Sequence, residues 1–228
     1  MKKISIIGCG WLGKPLSLEL SKEYKVECFS RELTSDNSPF WQNDIIIIAI
    51  NTKDNYLQTL QKIASLYKKE ATLIMLSSIS VYREFDCTVD ESVKITKSSL
   101  QKEAEELLLS LEPDALILRL GGLMGDDRVA GKWKNNSLFS DGFVNYIHKD
   151  DVINIIKTVI QQDKKSDILN LVAPNHPTRA EIHKKNSEKF GFEMGAFEGF
   201  TNRKVISKKL IKELSYTFLH PNPLEFWG

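Results

Sequence analysis

The chain has 228 residues, enough to bury a sizeable core as one large domain or as a domain with an appendage. Its 31 basic and 30 acidic residues leave a net charge of +1, which excludes broad electrostatic attraction to nucleic acid or to an anionic membrane. A phosphate ligand must therefore be held by a local site.

Cys9, Cys28 and Cys87 are odd in number and lack C-x-x-C spacing, which argues against a disulfide scaffold and against a zinc site. A reducing cytoplasm is the expected compartment. Met1-Lys2-Lys3 leads into a short apolar stretch that stops at glycines, so no signal peptide is expected. The longest apolar run, residues 45–50, is too short to span a bilayer.

The first element is the apolar run Ile4, Ile6, Ile7, which breaks into Gly8, Gly10 and Gly13 and leads straight into a helix over 11–22. A strand ending in G-x-G-x-x-G and turning into a helix is the dinucleotide-binding fingerprint. Gly8 permits the tight turn, Gly10 lets the backbone approach a diphosphate, and Gly13 lets the helix lie close on the strand. With Trp11 and Leu12, these glycines form the expected cofactor loop, where helix N–H groups and the helix dipole favour an anion.

Residues 25–29 read as a second strand, reaching Ser30 and Arg31. An acidic residue at this place bonds a ribose 2′-OH, whereas an arginine holds a 2′-phosphate. Ser30-Arg31 therefore favours NADP, while Glu32 keeps NAD open. The connection to the isoleucine run at 45–50 is short for a crossover helix. That run reads as a strand buried on both faces, with Asn51 at its carboxyl end as a further cofactor contact.

A helix over 54–68, a strand over 71–76 entering Ser77-Ser78, a helix over 98–111 and a strand over 115–120 complete the rhythm. Repeated strand, loop and helix predicts an α/β fold with a doubly wound, Rossmann-like parallel sheet. Later elements are a helix over 150–161, a strand over 168–172, a helix over 178–190, a helix over 210–214, and an extended end at Pro221 and Pro223. Residues 1–125 are assigned to the NAD(P)-binding core. Residues 126–228 are assigned to a segment that completes the sheet and forms a small C-terminal substrate cap.

GCGWLG at 8–13, SSISVY at 77–82, LRLGGLMG at 118–125, YIHKDDV at 146–152 and LNLVAP at 169–174 follow one another in an order that resembles extended short-chain dehydrogenases/reductases. The resemblance is to the NAD(P)-dependent epimerase/dehydratase family, many of whose members act on nucleotide sugars. It is nearest a shorter, atypical branch, whose closing segment RKVISKKLIKELSYTFLHPNPLEF at 203–226 also resembles. It implies a dinucleotide cofactor and a nucleotide-sugar or small carbonyl substrate, with no nucleic-acid or membrane partner. The oligomeric state stays open.

In that family a Ser or Thr, a Tyr and a Lys carry the redox step, with Tyr and Lys four apart on one helix face. The match places the serine at Ser78 and the lysine at Lys102, but puts Ser98 where the tyrosine belongs. A serine hydroxyl is too basic to replace a phenolate near neutral pH. Tyr82 is the candidate replacement. Two readings remain: an oxidoreductase or epimerase, and a nucleotide-binding or regulatory protein that keeps the pocket without the usual triad. His148 and Asp151 are read as structural, with no metal expected because no second His or Cys lies at ligand spacing. Arg119, Arg128, Lys132 and Trp133 are candidates to meet a substrate phosphate or line its pocket.

Overall fold

The computed structural model describes residues 1–29, 38–51, 55–132 and 138–227. The first half contains β1 (Lys3–Ile7), α1 (Gly13–Leu20), β2 (Lys25–Phe29), β3 (Ile45–Ile48), α2 (Tyr56–Leu66), β4 (Thr72–Ser78), β5 (Thr88–Val89) and α3 (Leu100–Leu111). β6 (Leu116–Leu120), β7 (Gly122–Met124), β8 (Leu138–Gly142), β9 (Tyr146–His148) and α4 (Lys149–Gln161) follow. The chain ends through β10 (Asp167–Leu171), α5 (Arg179–Phe190), β11 (Ala196–Thr201), β12 (Lys204–Val205) and α6 (Lys208–Leu214).

Two compact units interleave in sequence. One comprises Met1–Val81, Ile95–Arg119 and Ile156–Ile168; the other comprises Tyr82–Lys94, Leu120–Ile155 and Leu169–Gly228. The main sheet is parallel and has six strands in the order β10-β6-β4-β3-β1-β2. From β1 the chain steps outward to β2, then returns past β1 to β3, so the strand order reverses between β1 and β3. In an open parallel sheet, ligands bind outside the carboxyl ends of the strands at such a switch point. Here those ends are Ile7 and Ile48, paired in register.

All four isoleucines of β3 are buried, as expected for a strand covered on both faces. The first unit's core gathers Ile46, Ile48, Leu60, Ile63, Leu73, Met75, Leu108 and Ile117 around Phe40 and Trp41. α2 buries Tyr56, Leu60, Ile63 and Ala64, largely the face its apolar spacing indicates. The expected short connection before β3 holds a single 3-10 turn, Pro39–Gln42, among its described residues.

The second unit has its own core of Met124, Ala130, Val144, Tyr146, Ala173, Ile182 and Phe226. It contains the short parallel pairs β7 with β9, β8 with β11 and β5 with β12. α5 begins with a full capping box, in which the Thr178 side chain accepts the Glu181 N–H and Glu181 returns to the Thr178 N–H. The end is not fully extended, since Pro223–Glu225 form a 3-10 turn capped by Asn222.

One expectation about cysteine is overturned. Cys9 and Cys28 form a disulfide with a Cα–Cα distance of 5.6 Å, leaving Cys87 as a free, exposed thiol. No helix among the described residues is long and apolar enough to cross a membrane.

Candidate functional site

The glycine loop leaves β1 with Gly8 at φ +114°, a conformation that L side chains rarely adopt. A Cβ at Gly8 would lie 2.3 Å from the Ala49 carbonyl oxygen, so the loop touches the backbone that follows β3. A Cβ at Gly13 would lie 2.0 Å from the Gly8 carbonyl oxygen. α1 can therefore approach β1 only with glycine at that position. Gly10 differs: among the described residues, nothing lies within 4 Å of a Cβ built there.

The N–H groups of Gly8 and Cys9 both donate to the Phe29 carbonyl, at 2.8 and 2.9 Å, holding the loop's first half on the end of β2. α1 starts at Gly13 with Leu12 in the capping position and no side-chain cap. Helix N–H groups without a side-chain acceptor are the ordinary partners of a diphosphate. Gly10 is exposed, Trp11 half-buried, and Leu12 and Gly13 buried. Asn51 is exposed just beyond β3. Ser30, Arg31 and Glu32 lie outside the described residues.

Ser78 ends β4 half-buried, and its Oγ accepts the Ser80 N–H at 3.1 Å. Next to it, the Ser77 hydroxyl donates to Glu105. Glu105 is 3% exposed and Arg119 6%, and the two form a forked ion pair. Nε of Arg119 is 3.1 Å from each carboxylate oxygen and Nη2 is 2.6 Å from Oε2. This settles the place of Arg119. Its guanidinium clips β6 to α3 beneath the serines, so the expectation that it meets a substrate phosphate is corrected.

Lys102 reaches Glu106 one turn on, Nζ to Oε1 2.7 Å. The helix begins later than the sequence spacing requires. Ser99 is its cap, accepting the Lys102 N–H at 3.2 Å, and Ser98 is exposed ahead of the helix with its hydroxyl on Glu103. Ser98 and Lys102 thus do not share a helix face. Tyr82 is fully buried, and its hydroxyl donates to Asn170 Oδ1 at 3.1 Å. That is the setting of a packed phenol rather than of a proton donor open to a ligand.

Asp151 is fully buried, and its carboxylate accepts Tyr216 Oη at 2.9 Å and the N–H groups of Leu219 and His220 at 2.8 and 3.0 Å. The structural expectation for Asp151 has this concrete form: it pins the C-terminal tail, not its own helix. The same tail brings His220 to His148, with ring centroids 3.8 Å apart. Asp150 lies beside both, and the three offer ligand atoms within 4.8 Å of one another. Sequence spacing alone finds no such grouping. Nδ1 of His148 accepts the Asp150 N–H at 3.3 Å, and burial first, then the neighbouring His220, holds the His148 pKa below its usual value.

Arg128 is exposed in its loop, Lys132 lies over the Phe190 ring at 5.6 Å, and Trp133 is outside the described residues. Arg203 is a residue that sequence reasoning missed. It is half-buried, donates from Nη1 to the Tyr82 carbonyl at 3.3 Å, and leaves Nε buried with no hydrogen-bond partner among the described residues. Burial lowers its pKa, and the nearby positive charges of Arg83 and Arg179 lower it further. Its signal in the sequence was the basic pair Arg203-Lys204 at the head of the closing segment.

No protein-family model matches the chain. Protein YeeZ of Escherichia coli (strain K12) is 28% identical over 273 aligned positions, covering 98% of each chain. Human epimerase family protein SDR39U1, solved with NADPH, superposes with a TM-score of 0.77 at 14% identity, covering 97% of this chain and 96% of that one. UDP-glucuronic acid 4-epimerase from Bacillus cereus, solved with NAD, gives a TM-score of 0.78 at 16% identity, with 98% and 96% covered. The chain therefore carries the parallel-sheet Rossmann fold found in the NAD(P)-dependent epimerases and dehydratases, the extended short-chain dehydrogenase/reductase group.

Proposed function

We propose that this protein binds a nicotinamide dinucleotide on its glycine loop, with NADP preferred, and that binding rather than rapid hydride transfer is the property its site retains. The observation that carries the reading is the cradle itself. Gly8 and Gly13 have no room for a Cβ, while Gly10, before an uncapped helix, has no described atom within 4 Å of a built Cβ. The backbone of Gly10, Trp11, Leu12 and Gly13 would hold the diphosphate, with Asn51 beside it. Ser30 and Arg31 would receive the adenosine ribose and its 2′-phosphate. A bound NAD(P) supplies a hydride acceptor or donor.

The settings of the candidate triad side chains, each taken by itself, support slow turnover. Lys102 is held by Glu106, Ser98 precedes the helix, and the Tyr82 hydroxyl is engaged by Asn170. Ser78, at the carboxyl end of its strand, is our candidate for the triad serine.

A second reading, an epimerase or reductase acting on a nucleotide sugar or small carbonyl compound, draws support from two quarters. Structural relatives include nucleotide-sugar epimerases. In the second unit, the half-buried Arg203 has the charges of Arg83 and Arg179 acting on it, opposed by Asp86, and guanidinium groups are suited to a sugar-nucleotide phosphate. A cytoplasmic site of action fits either reading.

Titration of the purified protein with NADPH, NADP and NAD tests the binding claim, and nicotinamide absorbance in the presence of UDP-sugars tests turnover. The first reading expects saturable binding with little absorbance change, and Arg31→Ala weakening NADP far more than NAD. Brisk turnover abolished by Tyr82→Phe would replace it with the second.

A further inference from the structure

The residue between the first two glycines of the loop is Cys9, and the structure joins it to Cys28, one residue before the end of β2. β1 and β2 run parallel with Ile6 opposite Cys28, which brings the first loop residues alongside the end of β2. The Cα–Cα distance of 5.6 Å lies in the range that disulfides adopt. Cys28 Sγ is also 3.9 Å from the carbonyl oxygen of Gly13, the last glycine of the loop. The bridge therefore lies against both ends of the segment that would cradle a diphosphate. It also ties that segment to the strand leading to Ser30 and Arg31.

We infer that Cys9 and Cys28 form a reversible thiol–disulfide site through which thiol redox state sets the affinity of the glycine loop for its dinucleotide. The inference rests on the dinucleotide-binding reading above. In the oxidising direction, a thiolate of the pair attacks a low-molecular-weight disulfide such as glutathione disulfide. It forms a mixed disulfide and releases one thiol. The second cysteine then displaces the second thiol and closes the Cys9–Cys28 bond, so the pair loses two electrons and two protons as the small disulfide becomes two thiols. A dithiol reductant reverses both steps.

The bridged loop holds the geometry in which a Cβ at Gly10 would meet no described atom within 4 Å and Gly8 and Cys9 are bonded to Phe29. Freedom removed by the bridge need not be lost again on binding, so the oxidised protein is the tighter binder. Affinity and redox state are linked reciprocally, and bound dinucleotide makes the disulfide harder to reduce by the same factor.

The test uses the full chain with Cys87→Ser, which removes the exposed free thiol and leaves the loop untouched. The pair is poised in glutathione buffers from reducing to oxidising, its state is read by thiol alkylation and mass, and NADPH affinity is measured by calorimetry in each buffer. The expected result is an intramolecular Cys9–Cys28 bond and an affinity about tenfold higher in the oxidised form, toward the lower end of usual site-to-site coupling. Saturating NADPH should then move the pair's midpoint more negative by about 30 mV, that tenfold factor for a two-electron couple. Cys28→Ser in the same background should bind with the reduced-form affinity in every buffer.

Equal affinity in both forms with an unmoved midpoint overturns the coupling and leaves the nucleotide site standing. Tighter binding by the reduced form, or cysteines that stay alkylatable throughout, likewise overturns it. A pair that titrates while neither form binds any dinucleotide overturns the proposed function, and the coupling with it.

Discussion

Replacing Glu105 with alanine should be among the most damaging single changes in the first unit. It removes the carboxylate that Arg119 grips through three contacts of 2.6 to 3.1 Å, and it also takes the acceptor from the Ser77 hydroxyl. Arg119 is 6% exposed, so its charge would be left without its carboxylate in the interior. Breaking a buried pair from one side costs about 3–5 kcal/mol, whereas replacing both partners with apolar groups of similar volume is often neutral. Against a total stability of about 5–15 kcal/mol, that is a large share. In urea, a slope near 2–3 kcal/mol per M turns the loss into a midpoint lower by about 1 to 2.5 M. Equilibrium unfolding followed by circular dichroism reads the shift, with Glu105→Leu/Arg119→Met as the control expected to recover most of it. A loss below about 1 kcal/mol in Glu105→Ala, or a double variant as weak as the single one, would refute the reasoning.

Gly13→Ala should lower the unfolding midpoint by an amount corresponding to about 2 kcal/mol or more, because its Cβ meets the Gly8 carbonyl oxygen at 2.0 Å and backbone must move; an unchanged thermal midpoint would contradict the close approach of α1 to β1. His183 is 1% exposed, and burial, assisted by the Arg179 charge and opposed by Asp141, pushes its pKa down to about 4. Between about 4 and 6.5 the unfolded chain takes up a proton that the folded chain refuses, so stability falls as pH drops through that window, by up to about 3 kcal/mol from this group. His183→Gln should flatten that slope in urea titrations at pH 4.5, 5.5 and 6.5, and an unaltered slope would count against the assignment.

The parts legible in the sequence are those that local pattern controls. Three glycines at fixed spacing after an isoleucine strand define a loop whose steric reasons are all short-range, and the structure supplies those reasons at Gly8 and Gly13. The buried run of β3 follows from apolar content and length alone. What escaped depends on elements meeting across the fold. Cys9 and Cys28 are 19 residues apart, and only the parallel register of β1 on β2 makes them neighbours. Arg119 looks like a ligand for phosphate until α3 is seen to bring Glu105 against β6. His220 reaches His148 because Asp151 holds the tail through its N–H groups. The misplaced position is Ser98. In the run Ser98-Ser99 either serine can cap a helix, and Ser99 does so, which leaves Ser98 outside the helix that the Tyr-Lys spacing requires.

The central claim is that a dinucleotide lies on the glycine loop, and Gly10 is the position that tests it without disturbing the fold. Its Cβ would meet nothing within 4 Å among the described residues, so Gly10→Val should unfold at nearly the wild-type temperature. Calorimetric titration of the folded Gly10→Val protein with NADPH should show binding abolished or weakened at least about a hundredfold, since the added side chain fills the space through which a diphosphate reaches the backbone. Wild-type affinity in that variant would contradict the account.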